Sequence, residues 1–158
     1  MSDPNTVLRE LLDRREIYDL ALRYARAADR RDYAAFAEIF TEDGRIAGHR
    51  GDAFATDPLY SLEGRDAILT GLRGLEQYEK TLHLVANQLL EIEGDRARGE
   101  TYCTAHHIYR KGGAPVNHTM AIRYQDRFVR QNARWWLEER RLAIDWERHT
   151  SLGEDGWA

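Results

Sequence analysis

The chain has 158 residues, of which 42% are hydrophobic and 32% are charged, as expected of one globular domain with a sizeable core. A net charge of −4, with arginines scattered among acids, disfavours nucleic acid as a partner, and no apolar run is long enough to cross a membrane. A single cysteine, Cys103, excludes an internal disulfide, and no signal peptide precedes the first helix, so we expect a cytoplasmic protein.

The first half of the sequence predicts helices. Apolar residues recur at steps of three and four from Val7 to Ala28, which predicts an amphipathic helix ending near Asp29. The elements predicted after it are, in chain order, a short helix at 32–40, a turn at 41–44, a strand at 45–49, a loop at 50–63 and a third helix at 64–78.

The second half changes to strand-forming sequence. Glycine-containing and asparagine-containing turns separate four long predicted strands, at 82–93, 96–110, 116–130 and 134–147. Long neighbouring strands joined by short turns form an antiparallel meander, and helices followed by strands indicate an α+β fold. We expect about three N-terminal helices on one face of a long, curled antiparallel sheet that encloses a pocket, with residues 1–150 as a single domain and residues 151–158 as a tail.

One polar residue interrupts an apolar strand in the stretch TLHLVANQLLEIEGD. Alternation places His83 on the same face as Val85, Asn87 and Leu89. A histidine and an asparagine on a largely apolar face need partners, because a buried polar group without one is costly. His83 is therefore either a satisfied core histidine or part of a functional site.

Five strings follow one another in a distinctive order: RYARAADRRDYAAFAEIFTEDG, GRDAI, TLHLVAN, GDRARGETYCTAHHIY and EERRLAIDW. This order resembles the nuclear transport factor 2-like superfamily, and within it the SnoaL-like group that includes scytalone dehydratase and bile-acid dehydratase-like proteins. The resemblance covers nearly the whole chain. It implies a cone-shaped fold with a mostly apolar pocket, and it is poorly specific for the reaction because this fold serves many functions.

The resemblance also implies site residues. A catalytic aspartate after the first helix and a histidine on the first long strand correspond to Asp29 and His83. The tyrosine that bile-acid dehydratase-like members place five residues before the aspartate corresponds to Tyr24. A second pocket histidine, as in scytalone dehydratase, corresponds best to His107, and an arginine on the last strand of some dehydrohalogenase-like members corresponds to Arg140.

The residue types suit general acid–base chemistry. A neutral imidazole is a suitable base near neutral pH, and a carboxylate on its other nitrogen fixes the tautomer and stabilises the imidazolium. The alternative is a structural histidine, with Asp29 as an ordinary helix-end residue. Tyr24 is either a core aromatic or a hydrogen-bond donor, and it lies about 140° from Asp29 around an ideal helix. The two side chains converge only if the helix ends or bends before Asp29.

Further residues are candidates for substrate binding or for pocket lining. His106 and His107 must lie on opposite faces of their strand, so only one of them enters the pocket. Tyr124 is expected to line the pocket, as is Asn87. An inward Arg140 must pair with an acid or with an anionic substrate group, and otherwise it is a surface charge. Adjacent strand histidines cannot chelate one ion from one face, and no Cys/His cluster has ligand spacing, so we expect no metal. The sequence has no phosphate loop, dinucleotide fingerprint or nucleophile elbow, so we expect no cofactor.

Two classes of function fit these observations. The first is a cofactor-independent lyase, of the dehydratase type, acting on a small hydroxylated cyclic molecule, with an isomerase or polyketide cyclase as a variant of the same proton transfer. The second is a non-catalytic module that binds a small molecule or assists a partner enzyme. The resemblance implies self-association through the outer face of the sheet, as a trimer or a dimer.

Overall fold

The computed structural model describes residues 3–153 and has the predicted α+β architecture. The helices are α1 (Pro4–Arg30), α2 (Tyr33–Ala37) and α3 (Arg65–Leu72), and a 3₁₀-helix (Arg73–Gln77) follows α3. The strands are β1 (Phe40–Arg50), β2 (Tyr60–Glu63), β3 (Lys80–Glu93), β4 (Arg96–Lys111), β5 (Ala114–Gln131) and β6 (Arg134–Ser151). Within residues 3–153, no helix is long and apolar enough to cross a membrane.

Helix α1 begins at a capped end and packs one face against the sheet. The Asp3 side chain accepts a hydrogen bond from the Asn5 backbone N–H, and Pro4 occupies the first turn, where a missing N–H costs nothing. The buried face of its C-terminal half includes Ile17, Leu20 and Tyr24. The helix continues through Asp29 to Arg30 and ends at Arg31, which has left-handed backbone angles.

The strands form one curled, unclosed sheet in the order β2-β1-β6-β5-β4-β3. Strands β3 to β6 pair as the predicted antiparallel meander. Strand β1 pairs in parallel with β6, so the sheet is mixed rather than wholly antiparallel as predicted. Local sequence signals indicate hairpins between neighbours in the chain, whereas this pairing joins two strands far apart in sequence.

Three local predictions were wrong. Residues 41–44 are not a turn, because β1 begins at the buried Phe40 and absorbs the irregularity as a register shift. The predicted loop at 50–63 contains the short strand β2. Strand β6 continues past residue 147 to Ser151, pairing with the start of β5. Residues 154–158 of the predicted tail lie outside the described residues.

Strand β3 contains a bulge that changes which side chains face the cone. The register with β4 shifts between Val85 and Gln88, so the extra residue reverses the alternation after Val85. Gln88 faces inward and donates to Thr101 Oγ1 over 2.9 Å, whereas Asn87 is exposed and Leu89 is 79% exposed. The predicted inward orientation of Asn87 was wrong, because strict alternation assumes a strand without an inserted residue.

A buried ion pair ties α1 to the far end of the meander. Asp13 accepts two hydrogen bonds from the Arg130 guanidinium, at 2.7 and 2.6 Å, and a third from Trp135 Nε1 at 3.1 Å. The hydrogen bonds from Arg130 hold the pKa of Asp13 below its ordinary value despite its burial. This contact fixes the helix against the sheet, and the sequence offered no signal for the pairing.

Candidate active site

The end of α1 meets the start of β3 through the side chains of Asp29 and His83. His83 Nδ1 lies 2.7 Å from Asp29 Oδ1, and the His83 backbone N–H donates to Asp29 Oδ2 over 3.0 Å. Thr81 Oγ1 donates to Asp29 Oδ1 over 2.9 Å. The His83 side chain is 7% exposed and that of Asp29 is 19% exposed. The carboxylate thus accepts three hydrogen bonds in a largely buried setting.

This arrangement determines the charge of Asp29 and the tautomer of His83. Burial alone raises the pKa of Asp29, but the hydrogen bonds from His83 and Thr81 outweigh it and hold this pKa below its ordinary value. An ionised carboxylate can only accept, so the proton of a neutral His83 ring is assigned to Nδ1. The other ring nitrogen, Nε2, then has a free lone pair and can act as a base.

His107 is the nearest imidazole to that lone pair. Its Nε2 lies 3.5 Å from His83 Nε2, and the residue is 7% exposed. Burial, with smaller effects of His83 and His118, lowers the pKa of His107 to about 3. Because His107 stays neutral, it can donate an Nε2–H toward His83, and its Nδ1 then lacks a hydrogen-bond partner among residues 3–153.

The low pKa of His107 predicts a pH-dependent stability. An unfolded histidine takes up a proton at about pH 6.5, whereas folded His107 does so only at about pH 3. Stability is therefore complete above about pH 6.5 and falls as the pH drops below it, by up to about 1.4 kcal/mol per pH unit. We expect His107→Gln to flatten this slope in urea unfolding measured between about pH 7.5 and pH 5. Equal slopes for the two proteins would contradict a neutral, buried His107.

The neighbouring His106 lies on the other face of β4. Its Nδ1 is 2.9 Å from Asn117 Nδ2, on the outside of the sheet. Strand alternation separates the two histidines as expected, with His107 on the cone side beside His83. Among the described residues, no group of three or more His, Cys, Asp or Glu side chains could hold a metal ion.

A second cluster of buried polar residues lies deeper in the cone. Arg140 is 0% exposed and makes two hydrogen bonds to Asp126, at 2.9 and 2.7 Å. Its guanidinium carbon lies 4.2 Å from the ring centre of Tyr24 and 3.9 Å from that of Tyr124. Burial raises the pKa of both tyrosines, so both phenols keep their protons and can donate hydrogen bonds.

Tyr24 belongs to this deeper cluster and not to the pair at the helix end. Its ring contacts Phe36 and Tyr124, with centroids 4.9 and 5.6 Å away. The convergence of Tyr24 with Asp29 required the helix to end before Asp29, and α1 continues to Arg30. Arg140 points inward and pairs with an acid, as one of its two predicted alternatives required.

Two open clefts are lined by residues that contact the histidine pair, although His83 and His107 themselves line neither cleft. One, of about 500 Å³, is lined in part by Asp29, Thr81 and Tyr78. The other, of about 510 Å³, is lined in part by Tyr78, Tyr109 and His118. Tyr78 borders both clefts, and its ring packs on His107 with centroids 4.5 Å apart. The site is therefore close to solvent at its rim although the imidazoles are buried.

Sequence reasoning missed three residues of this site: Arg31, Tyr78 and Thr81. Strand alternation predicts Thr81 at the site, because it lies two positions before His83 and therefore on the same face of the strand. Arg31 and Tyr78 had no comparable signal, since their side chains reach the site only because of the backbone geometry at the ends of helices.

Comparisons with known proteins agree with this architecture. A family model described as a SnoaL-like domain matches residues 9–141. The search of curated proteins finds no match.

Several solved structures have the same fold. A Novosphingobium aromaticivorans DSM 12444 protein, provisionally called a scytalone dehydratase, shares 21% identity, with 88% of each chain covered and a TM-score of 0.75. Hexachlorocyclohexane dehydrochlorinase LinA-type3 from Novosphingobium barchaimii LL02 shares 17% identity over 96% of this chain and 97% of its own, with a TM-score of 0.77. An NTF2-like protein with a cystatin-like fold, also from N. aromaticivorans, shares 27% identity over 91% of each chain, with a TM-score of 0.69.

Proposed function

This chain belongs to the family of SnoaL-like domains, and on that footing we propose that it is a cofactor-independent lyase that removes water from a small hydroxylated, cyclic organic molecule. Asp29 and His83 are the proposed catalytic pair, with His107 beside them. Tyr24, Tyr124 and Arg140 are proposed to act from the deeper cluster. Relatives of the same fold are named for dehydration and for dehydrochlorination, and both reactions are eliminations.

The proposed reaction begins with His83. Its Nε2 takes a proton from a carbon next to an activating group, and the electrons of that C–H bond form a carbon–carbon double bond as the neighbouring C–O bond breaks. The departing hydroxide takes up one proton from a neighbouring donor and leaves as water, and the His83 imidazolium returns its proton to that donor, so every group regains its starting protonation state. The imidazolium formed in the first step is stabilised by the Asp29 carboxylate, whose attraction is stronger in a buried site than in water.

The observation on which the proposal rests is the buried 2.7 Å hydrogen bond between His83 Nδ1 and Asp29 Oδ1. It leaves the lone pair of His83 on Nε2, which can accept the Nε2–H of His107 in the protein without substrate, so a bound substrate must displace this contact. His107, neutral at working pH, can hydrogen-bond with a departing oxygen. Tyr24, whose phenol keeps its proton, is the second proposed donor.

A substrate screen in heavy water tests the reaction class. The purified protein is incubated with a panel of hydroxylated cyclic ketones and related alcohols, and the masses of the products are measured by mass spectrometry. A product lighter by one water supports the lyase. A product that has lost no water but carries deuterium in place of hydrogen identifies an isomerase or cyclase, and binding without exchange identifies a non-catalytic module. Either of the last two results overturns the proposal.

We also propose that the protein forms a homo-oligomer through the outer face of the sheet. Leu84, Thr104, Ala121 and Trp146 occupy one row across β3, β4, β5 and β6 on that face. Trp146 is 57% exposed and Leu84 is 51% exposed. Leu84 and Trp146 stand at the two ends of this row, with the half-buried Thr104 and Ala121 between them. Exposed apolar patches mark interaction surfaces in soluble proteins, and the family resemblance favours a trimer.

Trp146→Glu is expected to convert the oligomer to a monomer, because a carboxylate in an apolar contact loses its hydration without gaining a partner. The mass in solution, measured by light scattering after size-exclusion chromatography, checks this. Leu8→Glu is the matched control, since Leu8 is 56% exposed but lies on α1. A wild-type protein that runs as a monomer would refute the proposed assembly.

A further inference from the structure

The residue that ends α1 is an arginine in a backbone conformation that suits glycine. Arg31 has φ of 56° and ψ of 33°, in the left-handed region, and its N–H caps the carbonyls of the last turn. Glycine is the usual residue at such a position because it has no Cβ to crowd the backbone. An arginine at this position indicates that contacts of its side chain compensate for the unfavourable backbone conformation, since strained residues persist where the surrounding structure holds them.

The Arg31 side chain joins three parts of the chain. Nη1 donates to the carbonyls of Ala28 and Asp29, over 3.0 and 3.2 Å, and to Thr81 Oγ1 over 2.8 Å. Nη2 donates to the carbonyls of Leu75 and Tyr78, over 2.9 and 3.3 Å. One guanidinium therefore connects the end of α1, the start of β3 and the segment that presents Tyr78 to His107.

The bond between Arg31 and Thr81 has a direction. A guanidinium has only donors, so the Thr81 hydroxyl must accept from Arg31. Its own proton is then free to point at Asp29 Oδ1, which lies 2.9 Å away. All three contacts of the Asp29 carboxylate are consequently donors, and donors to a carboxylate favour its ionised form.

We propose that Arg31 and Thr81 are positioning residues that hold Asp29 ionised and oriented, and thereby hold His83 in the tautomer whose Nε2 is the free base. The role in turnover rests on the lyase function proposed above. The role in fixing the tautomer does not, because it follows from the direction of hydrogen-bond donation in the protein without substrate. Neither residue contacts the reacting atoms in this scheme; both act through Asp29.

Nitrogen NMR of ¹⁵N-histidine-labelled protein tests the tautomer directly. We expect wild-type His83, assigned by its absence from His83→Gln, to show a protonated Nδ1 and an unprotonated Nε2. Thr81→Val keeps the shape of the side chain and removes its hydroxyl, and we expect a mixture of tautomers in this variant. Thr81→Ser keeps the hydroxyl and is expected to match wild type, which a role in packing alone would not predict.

Arg31→Gly removes the guanidinium without changing the backbone turn, because glycine readily adopts the left-handed conformation that ends the helix. We expect the same mixture of tautomers as in Thr81→Val. With a turned-over substrate, both variants should lower kcat between about 10- and 100-fold at nearly unchanged KM, as for a misplaced catalytic group.

Three results would overturn the inference: a wild-type His83 protonated on Nε2, a single wild-type tautomer in both Thr81→Val and Arg31→Gly, or full kcat in both. If instead the tautomers respond as expected but no variant or wild type turns over any substrate, the positioning role stands and the proposed lyase fails. The spectra need no substrate, so the two failures are separable. Should Arg31→Gly not fold, the Thr81 pair decides alone.

Discussion

His83→Ala is expected to reduce turnover by about 10²- to 10⁴-fold, the contribution of a positioned general base. The substitution removes the imidazole whose Nδ1 lies 2.7 Å from Asp29 Oδ1 and whose Nε2 is the proposed base. The measurement is the initial rate with a substrate found in the screen, and circular dichroism verifies that the sheet is intact. Because the ring leaves a space beside Asp29, added imidazole should restore part of the rate.

His106→Asn is the matched control for this experiment. It changes a histidine on the neighbouring strand whose ring is on the outer face of the sheet, bonded to Asn117. Its rate should stay within a few-fold of wild type. Full turnover by a folded His83→Ala protein would eliminate the proposed base, whatever the substrate.

Arg140→Met is expected to destabilise the fold by about 3–5 kcal/mol, the usual cost of removing one partner of a buried ion pair. Arg140 and Asp126 are both fully buried in their side chains, and two hydrogen bonds connect them. Burial already raises the pKa of Asp126 despite its arginine partner. Without the guanidinium, the carboxyl group loses its hydrogen-bond donor and its counter-charge together. Urea unfolding at neutral pH measures the loss.

The double variant Arg140→Met/Asp126→Leu separates the ion pair from general packing. Replacing both partners by apolar residues removes the unpaired charge, so this protein should regain most of the stability that the single change loses. A single variant as stable as wild type would show that the pair contributes little. If the double variant loses more free energy of unfolding than the two single variants lose together, the main contribution of these residues to stability is their packing between Tyr24 and Tyr124.

The order of elements in this fold could be predicted because its signals are local. Apolar spacing from Val7 to Ala28 predicts α1, and the glycine-containing turns separate the strands of the meander. The parallel pairing of β1 with β6 could not be predicted in this way, because it depends on contacts between residues about one hundred positions apart, such as Phe40 and Leu137.

In the candidate site, too, features with a local sequence signal could be predicted and features that depend on distant residues could not. Asp29 and His83 lie 54 positions apart, and their pairing was inferred from the family resemblance and not from spacing. Alternation correctly separated His106 from His107, since it needs only a regular strand over two residues. The same rule failed for Asn87, because a single inserted residue after Val85 inverts every later position.

The partner of Arg140 could be stated only as a condition. An inward-facing arginine needs an acid, but nothing in the sequence selects Asp126 from the other 26 acidic residues. The choice follows from the register of β5 and β6, which places Asp126 opposite Arg140. Such pairings become predictable only once the ladder is known.

The main-chain contact of Asp29 has a bearing on how homologues are classified. The carboxylate anchors the backbone N–H of the edge strand as well as the ring. A homologue without catalytic activity would still need an acidic residue at this position to hold the edge strand. An acid at this position therefore says little about whether a homologue is an enzyme. Loss of the imidazole is the more telling change, because the main chain does not depend on it.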